Sequence, residues 1–192
     1  SRYDFTIVIF MSSSFNKLRN KPNNYVISAL VDNLPGVLHK ITNKFRGRGF
    51  NINTISIGPT QDRHVARVTV TIYGDTSSVD QLVLQLRKLV DIFEVAVLTG
   101  KSCIARELAL IKVDTPNGKA RSEIIGYANI FRNRIVDVSN DYITIEVTGT
   151  SDKIDSFIEL VKAFGISEVS RTGLTALKRE VGSTYQNDTD YE

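Results

Sequence analysis

Tyr25–Val31 (YVISALV) is apolar and rich in β-branched residues, is bounded by Asp32-Asn33, and predicts a buried strand. Pro35-Gly36 then punctuates the chain. Val37, Leu38, Ile41 and Phe45 recur at helical spacing and predict an amphipathic helix, which Gly47 and Gly49 end. Ile52, Ile55 and Ile57 belong to a second strand that stops before Pro59. A third strand is predicted over Val65–Tyr73 (VARVTVTIY), with Val65, Val68, Val70 and Ile72 as its apolar positions. Asp75 starts a second helix carrying Val79, Leu82, Val83, Leu86 and Leu89, and Ile92–Leu98 closes the series as a fourth strand.

The same order returns after a break at Gly100–Ser102. Glu107–Val113 reads as a strand, Pro116-Asn117-Gly118 as a turn, and Ser122–Phe131 as a helix with Ile124, Ile125, Ala128 and Phe131 on one side. Ile135–Val138 and Tyr142–Val147 are strands around Asn140-Asp141. Ser151–Phe164 opens on Ser151 and Asp152, a helix start, and carries Ile154, Phe157, Ile158 and Val161; Ile166–Ser170 is a last short strand. Each half reads βαββαβ. The fold class is therefore α+β, two tandem ferredoxin-like βαββαβ modules spanning residues 24–100 and 101–182. Residues 1–23 read as a flexible extension and residues 183–192, polar and acidic, as a disordered tail. Phe5–Met11 followed by Ser12–Ser14 superficially resembles a secretory signal, but Asp4 stands where a positive flank belongs.

Composition removes several function classes. The chain has 192 residues, 42% of them hydrophobic, and no apolar run near the ~20 that a membrane helix needs. Its one cysteine, Cys103, allows no internal disulfide and suits a reducing, cytoplasmic setting. Two histidines, His39 and His64, do not make a multi-histidine metal site; His39 is expected near a ligand or interface surface and His64 in a hairpin loop. Net charge is +3, yet residues 101–182 carry 12 basic against 11 acidic groups, so the basic surplus is not concentrated as a nucleic-acid binder would have it. The strand Val65–Tyr73 offers only Tyr73 for base stacking, and Lys40, Lys44 and Arg48 read as a solvated helix face. Neither nucleic acid nor a membrane is an expected partner. Cys103, placed in a Gly100–Cys103 linker with no histidine nearby, lacks the base a nucleophile requires. Asp152 and Asp155 are most simply helix-dipole charges. No catalytic constellation, phosphate loop or metal motif is present, so no catalytic, cofactor-binding or metal-ligating residue is assigned.

One stretch does offer chemistry. Asp32-Asn33-Leu34-Pro35-Gly36-Val37-Leu38 sets a polar side chain and a glycine between a buried strand and a helix start. Helix starts present unpaired N–H groups and about half a positive charge, which suits a carboxylate. Gly36 lets a ligand approach the backbone, and Asn33 has both a donor and an acceptor for the two ends of an amino acid. Leu34, Val37 and Leu38 suit an aliphatic side chain, and the turn has no lysine or arginine to favour a polyanion. The same residues also fit a plain β-to-α turn, and chemistry alone leaves both readings open.

Asn33-Leu34-Pro35-Gly36-Val37-Leu38-His39-Lys40-Ile41, then Phe45 and Arg48-Gly49-Phe50-Asn51-Ile52, resemble the ACT-domain signature of the small regulatory subunits of acetolactate synthase (acetohydroxyacid synthase). The likeness continues through Arg67-Val68-Thr69 and Gln85–Asp91, and in the second half through Arg106-Glu107-Leu108, Phe131-Arg132, Glu146–Gly149, Asp152-Lys153-Ile154-Asp155 and Arg171-Thr172-Gly173. It spans residues 24–180. What the resemblance implies is a first module that is an ACT domain and a second that is the C-terminal domain of such subunits. A subunit of that kind does no chemistry. It activates a catalytic large subunit, which uses thiamine diphosphate, Mg and FAD, and confers feedback inhibition by a branched-chain amino acid, valine above all. The resemblance further implies a homodimer through the ACT domains. Asn33, Gly36, Val37 and Leu38 would hold the amino acid from one chain, and Asn51 and Ile52 would close over it from the other. Departures from the pattern are His39, at a position often small or polar, and Ala66, where a serine commonly precedes the arginine. The alternative is a stand-alone ACT-type amino-acid sensor acting on another partner; a transcription regulator would need a helix-turn-helix that residues 1–23 are too short to supply.

Overall fold

A chain that alternates strand and helix periods buries both by laying helices against one face of a sheet. In the computed structural model, which describes residues 24–98 and 103–179, this happens twice. The chain divides into two compact units at the Val97–Leu98 junction. The expectations for residues 1–23 and 183–192 lie outside the described residues.

The first unit runs β1 (Asn24–Asp32), α1 (Val37–Gly47), β2 (Ile52–Pro59), β3 (Val65–Tyr73), α2 (Thr76–Leu86) and β4 (Ile92–Leu98), with sheet order β2-β3-β1-β4. β1 and β3 pair antiparallel from Asn24 opposite Tyr73 to Asp32 opposite Val65. With a strand period of two, Ile27, Ala29 and Val31 fall on one face of β1, and Ala66, Val68, Val70 and Ile72 on one face of β3. All are buried, as are Val37, Ile41 and Phe45 of α1 and Val79, Leu82, Val83 and Leu86 of α2. Val65 is not among them; it has the wrong parity, and Ala66 fills the inward place. The Asp75 carboxylate caps α2 by accepting from the Ser78 amide at 2.9 Å. Hydrogen bonds from Ser77 and Ser78 hold that carboxyl well below the usual carboxylate range. α2 ends at Leu86, so Leu89 sits in the turn that follows, its amide donating to the Leu86 carbonyl. Pro59 is the last residue of β2 rather than beyond it, a place open to proline because β2 is an edge strand.

The second unit runs β5 (Cys103–Asp114), α3 (Gly118–Ile130), β6 (Arg134–Val138), β7 (Tyr142–Gly149), α4 (Ser151–Val161), a 3₁₀ turn (Lys162–Phe164), β8 (Ile166–Arg171) and β9 (Thr175–Lys178). Its sheet order, β6-β7-β5-β8, repeats that of the first unit. The core joins Ala109, Ile111 and Val113 of β5 and Ile143, Ile145 and Val147 of β7 to Ile124 and Ala128 of α3 and Ile154, Phe157 and Val161 of α4. Phe131 meets Phe157 edge-on, ring centroids 5.4 Å apart.

Three features differ from the expectation, each for a tertiary reason. β5 begins at Cys103, which is therefore a strand residue and not part of a linker, because β9 pairs with Cys103–Arg106. β9 itself was not expected. β8 and β9 continue one another along the same edge of β5, and Thr172 between them extends the ladder through its hydroxyl, which accepts from the Leu108 amide at 3.0 Å. α3 begins four residues early at Gly118, since Asn117 caps it by accepting from the Ala120 amide at 2.9 Å.

Candidate functional site

β1 ends and α1 begins at one pole of the first unit, and the turn between them is pinned by backbone bonds. The Asp32 amide donates to the Asp91 carbonyl (2.9 Å) and the Asn33 amide to the His64 carbonyl (2.7 Å). Asn33 Nδ2 donates to the Arg63 carbonyl at 2.9 Å, which ties the turn to the β2–β3 hairpin. The donor of Asn33 is thus committed within the chain, and its Oδ1 is the end that faces no donor among the described residues. Lys40 crosses to Asp91, its Nζ 2.7 Å from Oδ2, so one of the three cations read as a solvated face is partly neutralised.

Gly36 is the N-cap of α1 and stands at φ 87°, ψ −13°, a left-handed conformation that glycine adopts freely. A Cβ there would meet nothing within 4 Å, so the space over the turn is open. No side chain caps α1, although Asp75, Asn117 and Thr150 cap the other three helices. Helix geometry leaves the first amides without intrahelical partners. Among the described residues, those of Gly36, Leu38 and His39 make no hydrogen bond. Leu34 and Leu38 are exposed beside them and Val37 is buried beneath. The arrangement can therefore receive a carboxylate at the amides, a donor at Asn33 Oδ1 and an aliphatic group at Leu34 and Leu38.

Asn51 and Ile52 are elsewhere. α1 is 11 residues long, about 16 Å, and carries the chain from this pole to the opposite one before β2 begins. Within one chain, Asn33, Gly36, Val37 and Leu38 are brought together, and Asn51 and Ile52 are not. His64 lies in the β2–β3 hairpin, as its sequence setting implies. The Arg63 and His64 carbonyls, which fix Asn33, were not legible beforehand, because a backbone acceptor leaves no mark in the sequence.

The equivalent turn of the second unit is closed. Asn117 occupies its helix start, and Arg121 Nη2 donates to Thr115 Oγ1 and to the Ser139 and Asn140 carbonyls across a cavity of about 360 Å³. No group of three His, Cys, Asp or Glu residues that could hold a metal ion exists among the described residues. Burial pushes the Cys103 thiol above its ordinary value, against the opposing charge of Arg179. No described helix is long and apolar enough to cross a membrane.

The fold and the open turn define a tandem α+β protein whose first unit is an ACT domain. Residues 27–94 match the family described as acetohydroxyacid synthase small subunit-like ACT domain, and residues 106–180 match the small subunit of acetolactate synthase. A probable acetolactate synthase small subunit from Methanothermobacter thermautotrophicus is 48% identical over 159 residues, covering 83% of this chain and 95% of that one. The acetolactate synthase small subunit of Aquifex aeolicus is 44% identical over 85% of each chain. The crystal structure of the Thermotoga maritima acetolactate synthase small subunit superposes with a TM-score of 0.76 at 36% identity, covering 82% of this chain and 98% of that one. The chain belongs to the acetolactate synthase small-subunit family.

Proposed function

We propose that this chain is the regulatory subunit of acetolactate synthase, binding the catalytic large subunit, raising its activity and subjecting it to feedback inhibition by a branched-chain amino acid, valine first. Family membership supports the regulatory role and a large-subunit partner. The observation that carries the ligand reading is the uncapped start of α1 at Gly36, open above its unbonded amides while every other helix start is capped. A carboxylate is stabilised there by the amides and the helix dipole. Asn33 Oδ1 accepts from the ammonium, and Leu34, Val37 and Leu38 line the side chain.

The separation of Asn51 and Ile52 from this turn supports a homodimer in which a second copy supplies them. A ligand shared by two chains regulates only through unequal affinity for two arrangements of the pair. A coupling of about 1–3 kcal/mol gives roughly 5- to 150-fold modulation. This chain's residues bind and transmit. Thiamine diphosphate, Mg and FAD belong in this reading to the catalytic partner, and the complex is cytoplasmic.

Reconstitution tests the proposal. Purified catalytic subunit is assayed for acetolactate formation alone, with this chain, and with this chain plus valine, leucine or isoleucine. The expected result is stimulation by the chain and reversal of it by valine. A chain that neither stimulates the partner nor responds to any of the three amino acids overturns the reading.

A further inference from the structure

The second-half motifs Arg106-Glu107, Phe131-Arg132, Asp152–Asp155 and Arg171 play no part in the amino-acid site, yet the fold gathers them at one place in the second unit. The inner layer is an ion network. Arg171, at the end of β8, directs its Nε and Nη2 to the Glu107 carboxylate and its Nη1 to Asp155 Oδ1 at 2.6 Å. The Ser151 hydroxyl donates to Glu107 as well. Glu107 and Arg171 are largely buried, with side chains 4% and 16% exposed. The acids of this region are thereby committed to Arg171, and β5, α4 and β8 are locked together.

The outer layer consists of three cations. Lys153, in the first turn of α4, lies over Gly149, where a Cβ would come within 2.6 Å of its Cδ, and its Nζ donates to the Thr148 carbonyl at 2.9 Å. Arg106 adjoins Glu107 on β5, and Arg132 follows the C-cap of α3. Burial and then the charges of Arg106 and Arg132 hold the Lys153 ammonium below its ordinary pKa, which places the three within electrostatic reach of one another. Among the described residues none of the three has a carboxylate at ion-pair distance. Arg132 is the one described non-glycine residue with positive φ, 53°. That position after a helix is ordinarily glycine or asparagine, so an arginine is held there against the preference of its backbone.

We propose that Arg106, Arg132 and Lys153 form a binding site for one compact, multiply charged oxyanion, a phosphate or the phosphoryl group of a small ligand. Guanidinium forks match the oxygens of such a group, and a semi-buried ammonium supplies a fixed point charge between them. An extended polyanion fits less well, because residues 101–182 carry 12 basic and 11 acidic groups and offer no longer basic track.

The test titrates the full chain, in low-salt buffer free of phosphate and sulfate, with inorganic phosphate, pyrophosphate and ADP, read by amide chemical shifts. Saturable shifts at residues 106, 132 and 153 that weaken with added salt are expected. Arg132→Gly relieves the backbone and so keeps the thermal midpoint, yet weakens binding by about tenfold or more. Lys119→Met, which removes an exposed lysine paired with Glu123, leaves binding unchanged. Equal binding of pyrophosphate and ADP assigns the site to the free anion, and tighter ADP binding assigns it to the phosphoryl group of a larger ligand. Absence of shifts at millimolar pyrophosphate, or an Arg132→Gly variant that binds like the parent, overturns the proposal. Because valine titrates the other unit, its binding survives Arg132→Gly, and the two readings fail independently.

Discussion

Replacing Arg171 by methionine removes the cation that neutralises two carboxylates at once. Glu107, with a side chain 4% exposed, keeps only its remaining hydrogen-bond partners, and Asp155, 24% exposed, loses its 2.6 Å contact. A pair this sheltered is outside the regime of solvent-screened surface ion pairs, and removal of one member typically costs about 3–5 kcal/mol. Asp155 retains some access to water and methionine restores part of the apolar contact, so the lower end, about 3 kcal/mol, is expected. That is roughly a 100-fold change in the folded-to-unfolded ratio. The loss is confined to the second unit, because Arg171 bridges β8 to β5 and α4. Amide hydrogen exchange on β5 and β7 under native conditions reads it directly, with urea unfolding followed by circular dichroism as a second measure. The double variant Glu107→Leu, Arg171→Met recovers most of the loss, since no buried carboxylate is then left unpaired on β5. A single variant that loses less than about 1 kcal/mol, as an exposed pair would, refutes the reasoning. So does a double variant as unstable as the single one.

Phe157→Ala empties the centre of the second core, where Phe157 is 0% exposed against Phe131, and is expected to cost about 3–5 kcal/mol by denaturant unfolding; a near-neutral result would show that this core is loosely packed. Asp75→Asn tests the cap of α2. The folded-state pKa of Asp75 is depressed, so its contribution is present above the unfolded value of about 3.9 and is lost as pH falls below it. The asparagine variant should therefore show a shallower fall of thermal midpoint with acidification than the parent, and parallel curves would contradict the assignment.

Much of this was readable in advance, and the failures share a cause. β3 and β4 fall where alternation and apolar runs place them, Val65–Tyr73 and Ile92–Leu98, because local period alone determines a half-buried strand. β9 was not readable, because Thr175–Lys178 buries only Ala176 and owes its existence to pairing with β5, some seventy residues away. Asp155 was mistaken for a dipole charge because its partner, Arg171, sits on another element. At the candidate site, the glycine turn and its open amides were legible in Asn33–Leu38, whereas the use of the Asn33 donor by Arg63 depends on how the β2–β3 hairpin folds over. The wide separation of Asn51 and Ile52 from Gly36 follows from the fold order itself, once α1 is seen to run pole to pole.

The account turns on Gly36. A side chain at this position meets open space, so Gly36→Asp bears only the cost of a left-handed backbone, about 1–2 kcal/mol at most and less for aspartate than for most residues. The introduced carboxylate sits at the amide end of α1 and repels the carboxylate of any incoming amino acid. Calorimetric titration of the full chain with valine, parent against Gly36→Asp, is the direct measurement. The account predicts saturable binding by the parent and none by a variant that remains folded. A folded variant that binds valine as the parent does would contradict it.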